Sequence, residues 1–137
     1  ASNYSIGVNV FFAVTDYISR LLGKTGGYSP YMVEMHHCHK LDAPSGTAIT
    51  LAEGIIEELD RKDRWVNTKA TQSNELEIES FREGMVPGIH TVTYTSEDDF
   101  LELKHSILNR RALAMGAVLA GEYLADKRGV HSMDNLL

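Results

Sequence analysis

The hydrophobic period of this chain changes from helix-like to strand-like and back again, and that change constrains the fold class before any single residue is considered. Ile6, Val10, Phe11, Val14, Tyr17, Ile18, Leu21 and Leu22 recur at three- and four-residue spacing, the stripe of an amphipathic helix. Ser5 is placed to cap it, and Gly23 with the pair Gly26-Gly27 to end it. Tyr31 to Met35 follows Pro30 and is rich in β-formers, so it predicts a strand running into the polar cluster His36 to Lys40. Pro44, Ser45 and Gly46 turn the chain into a second helix striped by Ala48, Leu51, Ala52, Ile55, Ile56 and Leu59. Residues 60 to 72 show no pattern and are expected to form a surface connection. Leu76, Ile78 and Ser80 then alternate with Glu75, Glu77 and Glu79 as a half-exposed strand. Residues 89–95 and 100–107 predict a hairpin across the acidic turn Ser96 to Asp99. The expectation is an α/β (α+β) domain with a four-stranded mixed sheet flanked by helices.

The last predicted helix, residues 111–126, breaks the amphipathic rule. Ala112, Leu113, Met115, Ala117, Val118, Leu119, Tyr123 and Leu124 surround its axis, and a helix apolar on all sides must be covered on all sides. One small sheet cannot do that, so residues 111–137 are expected to pack against a second body, a domain not included here or a subunit. The alternative is that this is the central helix of a small domain. At 137 residues the chain suits one domain. Its abrupt start at Ala1-Ser2-Asn3, leading straight into helical pattern, reads as that of a fragment.

Charge and cysteine content exclude some functions. Thirteen basic against nineteen acidic residues give a net charge of -6, which repels a phosphate backbone, so no nucleic-acid partner is expected and any anion must meet a local cluster of cations. Cys38 is the only cysteine, which precludes an internal disulfide and fits a reducing, cytoplasmic setting. The apolar run from Val8 to Val14 is too short to span a bilayer and has no basic stretch before it, so no membrane partner is expected.

Residues 36–47 read His36-His37-Cys38-His39-Lys40-Leu41-Asp42-Ala43-Pro44-Ser45-Gly46-Thr47. The first half supplies imidazoles and an ammonium, groups that share protons or clamp carboxylates. The second half opens a helix, where free backbone N–H groups and the positive end of the dipole make an anion seat. Gly46 would let a ligand approach the main chain, and Thr47 would add a hydroxyl. A small molecule with two carboxylates could place one on the helix end and the other near Lys40 or a histidine. If the strand persisted to Lys40, His36 and Lys40 would share a face and a turn would undo that parity. Three plainer readings stand beside this one: histidines that are only surface residues, a metal site built from His36, Cys38 and His37, and a Pro-Ser-Gly-Thr that does no more than open a helix.

The whole string resembles the signature of the dihydrodipicolinate reductase family, His-His-x-x-Lys-x-Asp-x-Pro-Ser-Gly-Thr, with every fixed position present. Asn3 to Asn9 resembles the family's entry into its second domain, and Asn109 to Ala117 its final helix. The resemblance implies the substrate-binding and oligomerisation domain, residues 1–137, of a two-domain reductase that moves a hydride from NADPH or NADH onto a small cyclic dicarboxylate. It implies His36 as general acid with Lys40 as its partner, and His37, Lys40, Gly46, Thr47 and Arg110 as substrate-binding residues, with Arg111 the neighbouring candidate for the arginine. It implies a homotetramer assembled through this domain; no metal is expected, since His36, His37 and Cys38 are adjacent in a way that suits neither common zinc spacing. No Gly-x-Gly-x-x-Gly turn is present, so no cofactor-binding residue is expected within these positions and the fragment alone is expected to be inactive. The alternative is a non-catalytic dicarboxylate-binding or assembly module.

Overall fold

The computed structural model describes residues 1–137. In chain order the elements are α1 (Ile6–Thr25), β1 (Ser29–His36), α2 (Gly46–Glu58), β2 (Arg64–Val66), β3 (Glu75–Arg82), β4 (Ile89–Thr95), β5 (Phe100–Ser106), α3 (Arg111–Leu124) and a short 3₁₀ turn at Met133–Asn135. The sheet runs β2-β3-β1-β4-β5. β2, β3 and β1 are mutually parallel neighbours, and β4 and β5 join antiparallel, the second pair as the expected hairpin.

The sheet is therefore mixed as expected but has five strands, not four. The extra strand falls inside the unpatterned stretch 60–72. Three residues are too few to display a period, and β2 exists because Arg64, Trp65 and Val66 lie beside Glu75, Leu76 and Glu77. Lys62 anchors that approach by donating to the Ser73 and Glu75 carbonyls at 2.7 and 3.1 Å.

Ser5 caps α1 by accepting from the Val8 N–H at 3.3 Å, and Gly26, at φ 71, ends it. Gly23 does not end the helix. It lies inside α1 where a Cβ would sit 3.0 Å from the Glu58 carbonyl oxygen, so its role is to let α1 and α2 approach. Together these helices cover one face of the sheet. Beneath them Phe11, Met32, Leu51, Ile55, Leu59, Leu76, Ile78 and Val92 form the core with Tyr94, whose hydroxyl meets Ser19 Oγ at 2.6 Å. Fully burying each such aliphatic side chain stabilises the fold by about 1.5–3 kcal/mol.

The opposite face, centred on Tyr31, Val33, Met35 and Thr91, carries no helix. α3 sits apart from the core and meets the rest of the chain mainly at α1. Only Gly116 of α3 is buried, while Met115, Val118, Leu119 and Leu124 remain exposed. Tyr4, Met133 and Leu136 lie along one side of it, near Ala120 and Tyr123, and the rest is uncovered, so it is not the central helix of the domain.

Candidate active site

β1 ends at His36, and the chain then turns, with the Lys40 N–H donating to the His37 carbonyl at 3.1 Å. The strand does not persist to Lys40, so alternation cannot put His36 and Lys40 on one face. After the turn the side chains part: His36 stays inside, His37 and Lys40 are half-buried, and Cys38 and His39 are exposed. The Lys40 ammonium rests on Asp42 Oδ1 at 2.9 Å and thereby lowers the Asp42 carboxyl from its usual range.

Burial explains why β1 presents His36 this way. Pro30, Met32, Glu34 and His36 occupy the covered face by period-two alternation, and Glu34 is fully buried. Its Oε2 binds His36 Nδ1. Its Oε1 accepts from Arg82 Nη2 at 2.8 Å and from the Ser45 N–H at 3.3 Å. Burial alone would push the Glu34 carboxyl up, but hydrogen bonds from His36, Arg82 and Ser80 reverse that and hold it down to about 2. The His36 ring packs edge-on against His90, centroids 5.1 Å apart. His90 is buried and neutral, lowered to about 3 by desolvation and then by the His36 charge. As a neutral ring it can accept from the Ser45 hydroxyl, which lies 3.1 Å from its Nε2.

Ser45 also caps α2, its Oγ accepting from the Ala48 N–H at 3.2 Å. That leaves the first-turn N–H groups of Gly46 and Thr47 without an intrahelical acceptor. Gly46 is exposed, and a Cβ built on it would meet nothing within 4 Å. The Thr47 hydroxyl accepts from Asn3 Nδ2 at 3.2 Å, which leaves its proton available. The start of α2 therefore offers unpaired N–H groups, with Gly46 exposed and Thr47 buried.

His37 and Arg110 line one solvent-open hollow of about 430 Å³ with His39, Met85, Pro87 and Asn109. Arg110 rather than Arg111 faces it. Desolvation lowers the His37 pKa, and its basic neighbours, Arg110 first among them, lower it further. Lys40, Gly46 and Thr47 line no common hollow with them. The residues named from the sequence thus divide: His37 and Arg110 line the hollow, Gly46 and Thr47 stand at the start of α2, and His36 is buried against Glu34.

The metal grouping drawn from His36, Cys38 and His37 does not assemble, because His36 turns inward and Cys38 lies exposed. Glu34, His36 and His90 do bring ligand-type atoms within 4.8 Å of one another. Both Glu34 oxygens are already engaged by His36, Ser45 and the Arg82 guanidinium, and His90 Nε2 by Ser45, and the guanidinium is a poor neighbour for a second cation. Sequence reasoning missed Glu34, Arg82 and His90. Glu34 left a signal, a carboxylate two residues before His36 and so on the same strand face, whereas Arg82 and His90 reach the site only through sheet pairing.

Fold and site together define a class: an α+β domain with a mixed five-stranded sheet, a histidine- and lysine-bearing turn running into a helix N-terminus, and a largely exposed apolar last helix. The family model described as dihydrodipicolinate reductase, C-terminus, matches residues 7–137. The chain belongs to that family. It is 44% identical over its full length to the 4-hydroxy-tetrahydrodipicolinate reductase of Christiangramia forsetii, spanning 57% of that protein. It is 36% identical to the enzyme of the same name from Methanocaldococcus jannaschii, spanning all of this chain and 51% of that one. A dipicolinate-bound dihydrodipicolinate reductase from Paenisporosarcina sp. TG-14 superposes on the whole chain with a TM-score of 0.72 at 25% identity, over 53% of its own length. The chain thus spans about half the length of the relatives it matches.

Proposed function

We propose that these residues are the substrate-holding and assembly half of an NAD(P)H-dependent 4-hydroxy-tetrahydrodipicolinate reductase of lysine and diaminopimelate biosynthesis, acting in the cytoplasm as a homotetramer. One observation supports the proposal above the others: the unpaired N–H groups of Gly46 and Thr47 end a signature whose other half brings His37 and Arg110 to one hollow, with His36 and Lys40 in electrostatic reach of His37. A local cluster of donors at a helix N-terminus is how an acidic protein can hold an anion. No helix is long and apolar enough to cross a membrane.

The substrate is a small cyclic dicarboxylate. One carboxylate takes the Gly46 and Thr47 N–H groups and the Thr47 hydroxyl, and the other takes Lys40, His37 and Arg110. The cofactor, NADPH or NADH, supplies a hydride to the ring. The residues here do not fit a dinucleotide, since the turn into α2 carries a single glycine and its amides serve the substrate. Cofactor binding is therefore assigned to the part of the relatives that this chain does not span. What these residues contribute is charge and a proton: His36 donates it and Lys40 assists, offsetting the negative charge that hydride addition builds on a conjugated acceptor.

Calorimetry with pyridine-2,6-dicarboxylate tests the site in this chain. Measurable heat that falls at least about tenfold in affinity in Thr47→Ala is expected, the loss of a charge-assisted donor. Equal binding by wild type and Thr47→Ala would overturn the seat. In the two-domain enzyme, a normal rate after both His36→Ala and Lys40→Ala would overturn the proton assignment.

A further inference from the structure

We propose that Glu34 is the positioning residue of this site: its carboxylate fixes the His36 ring with the proton on Nδ1 and Nε2 left for the substrate, and ties that ring to the turn that opens α2. The inference rests on the assignment of His36 as proton donor and adds to it the group that aims the ring.

Three contacts on one carboxylate carry it. Oε2 takes His36 Nδ1, while Oε1 takes both the Ser45 N–H at 3.3 Å and Arg82 Nη2 at 2.8 Å. An ionised carboxylate only accepts, so the ring nitrogen facing it must be the one that bears hydrogen. Arg82 supplies the opposite charge a buried carboxylate needs, and the same Nη2 donates to the Asp42 carbonyl at 2.7 Å, drawing the signature loop to the same point.

The other side of the ring is arranged to match. His36 Nε2 has no protein partner and is not sealed from solvent. Gly88 lies against that edge, where a Cβ would stand 3.2 Å from Nε2, so the glycine keeps the approach open. His90 closes the face and is itself held by Ser45. The proton donor and the anion seat are therefore set by one buried carboxylate, and moving it would misplace both.

Glutamine at position 34 offers one acceptor oxygen where glutamate offers two. It can serve His36 or the Arg82 and Ser45 donors, and two cationic or backbone donors outcompete one neutral ring. The test is nitrogen-15 NMR of the ligand-free chain at mildly alkaline pH, where an ordinary imidazole is neutral, with the His36 signals assigned by their loss in His36→Ala. Wild type is expected to show the Nδ1–H tautomer. Glu34→Gln is expected to show an averaged or Nε2–H ring, and affinity for pyridine-2,6-dicarboxylate is expected to fall about tenfold. A wild-type ring protonated on Nε2 would overturn the proposal by itself, whether or not the variant folds. So would a folded Glu34→Gln chain that keeps both the Nδ1–H ring and wild-type affinity. A wild-type Nδ1–H ring lost in Glu34→Gln, in a chain that binds no dicarboxylate, would support the placement of His36 and overturn the substrate assignment instead.

Discussion

At the scale of single residues, His90 and Glu34 tie the site to pH. His90 is lowered from 6.5 to about 3, chiefly by burial, so the unfolded chain takes up a proton between those values that the folded chain refuses. Its contribution to stability is complete above pH 6.5 and is lost as pH falls toward 3. Glu34, lowered from 4.5 to about 2 by its partners, adds stability above pH 4.5 that is lost below it. Both slopes have the same sign, so the melting temperature should fall steadily as pH drops below 6.5, and thermal melts of His90→Gln should show a flatter curve over the upper part of that window. An unchanged slope in that variant would mean that His90 is not the buried neutral group described here. Residues 36–47 declared themselves in the sequence because their chemistry is concentrated in twelve positions. Glu34 was less legible, since a glutamate in a strand more often faces water and only its register with Met32 and His36 marks it as buried.

At the scale of elements, α2 and α3 hang on contacts that single substitutions can break. Ser45→Ala removes the α2 cap, about 1 kcal/mol, and also takes away the only donor to His90 Nε2, a buried acceptor whose loss of partner costs about 1–3 kcal/mol more. Urea unfolding should show that sum; a loss confined to the cap would mean that water replaces the hydroxyl. In α3, a Cβ at Gly116 would sit 1.7 Å from the Tyr4 carbonyl oxygen, which no rotamer can relieve. Gly116→Ala should therefore release α3 from the segment before α1, and hydrogen exchange should show its amides exposed while those of β1 and β4 stay protected. The caps and stripes of α1 and α2 were readable because they depend on residues three and four apart. Gly23 was not: its neighbour is Glu58, on another helix.

At the scale of the molecule, two surfaces are left uncovered: the apolar sides of α3, and the bare sheet face, where Tyr31, Val33 and Met35 lie among polar and charged neighbours. The proposed homotetramer uses the second. Val33 lies in its middle, in a row with Glu79, Thr91 and Lys104, so Val33→Lys should shift sedimentation toward smaller species while leaving the far-ultraviolet spectrum unchanged. A wild-type chain that is monomeric at all concentrations would remove the basis for this assembly. By itself the sequence determined the helices, four of the strands, the hairpin and the concentration of donors in residues 36–47, because each is written in spacings of two to four residues or in one short string. Only the tertiary structure decided that β2 exists, that Arg82 and His90 reach Glu34 and His36, and that α3 stays largely uncovered within these residues. Those outcomes depend on strand pairing and helix packing between distant positions, where the energy of a contact belongs to both partners and neither segment alone carries its mark.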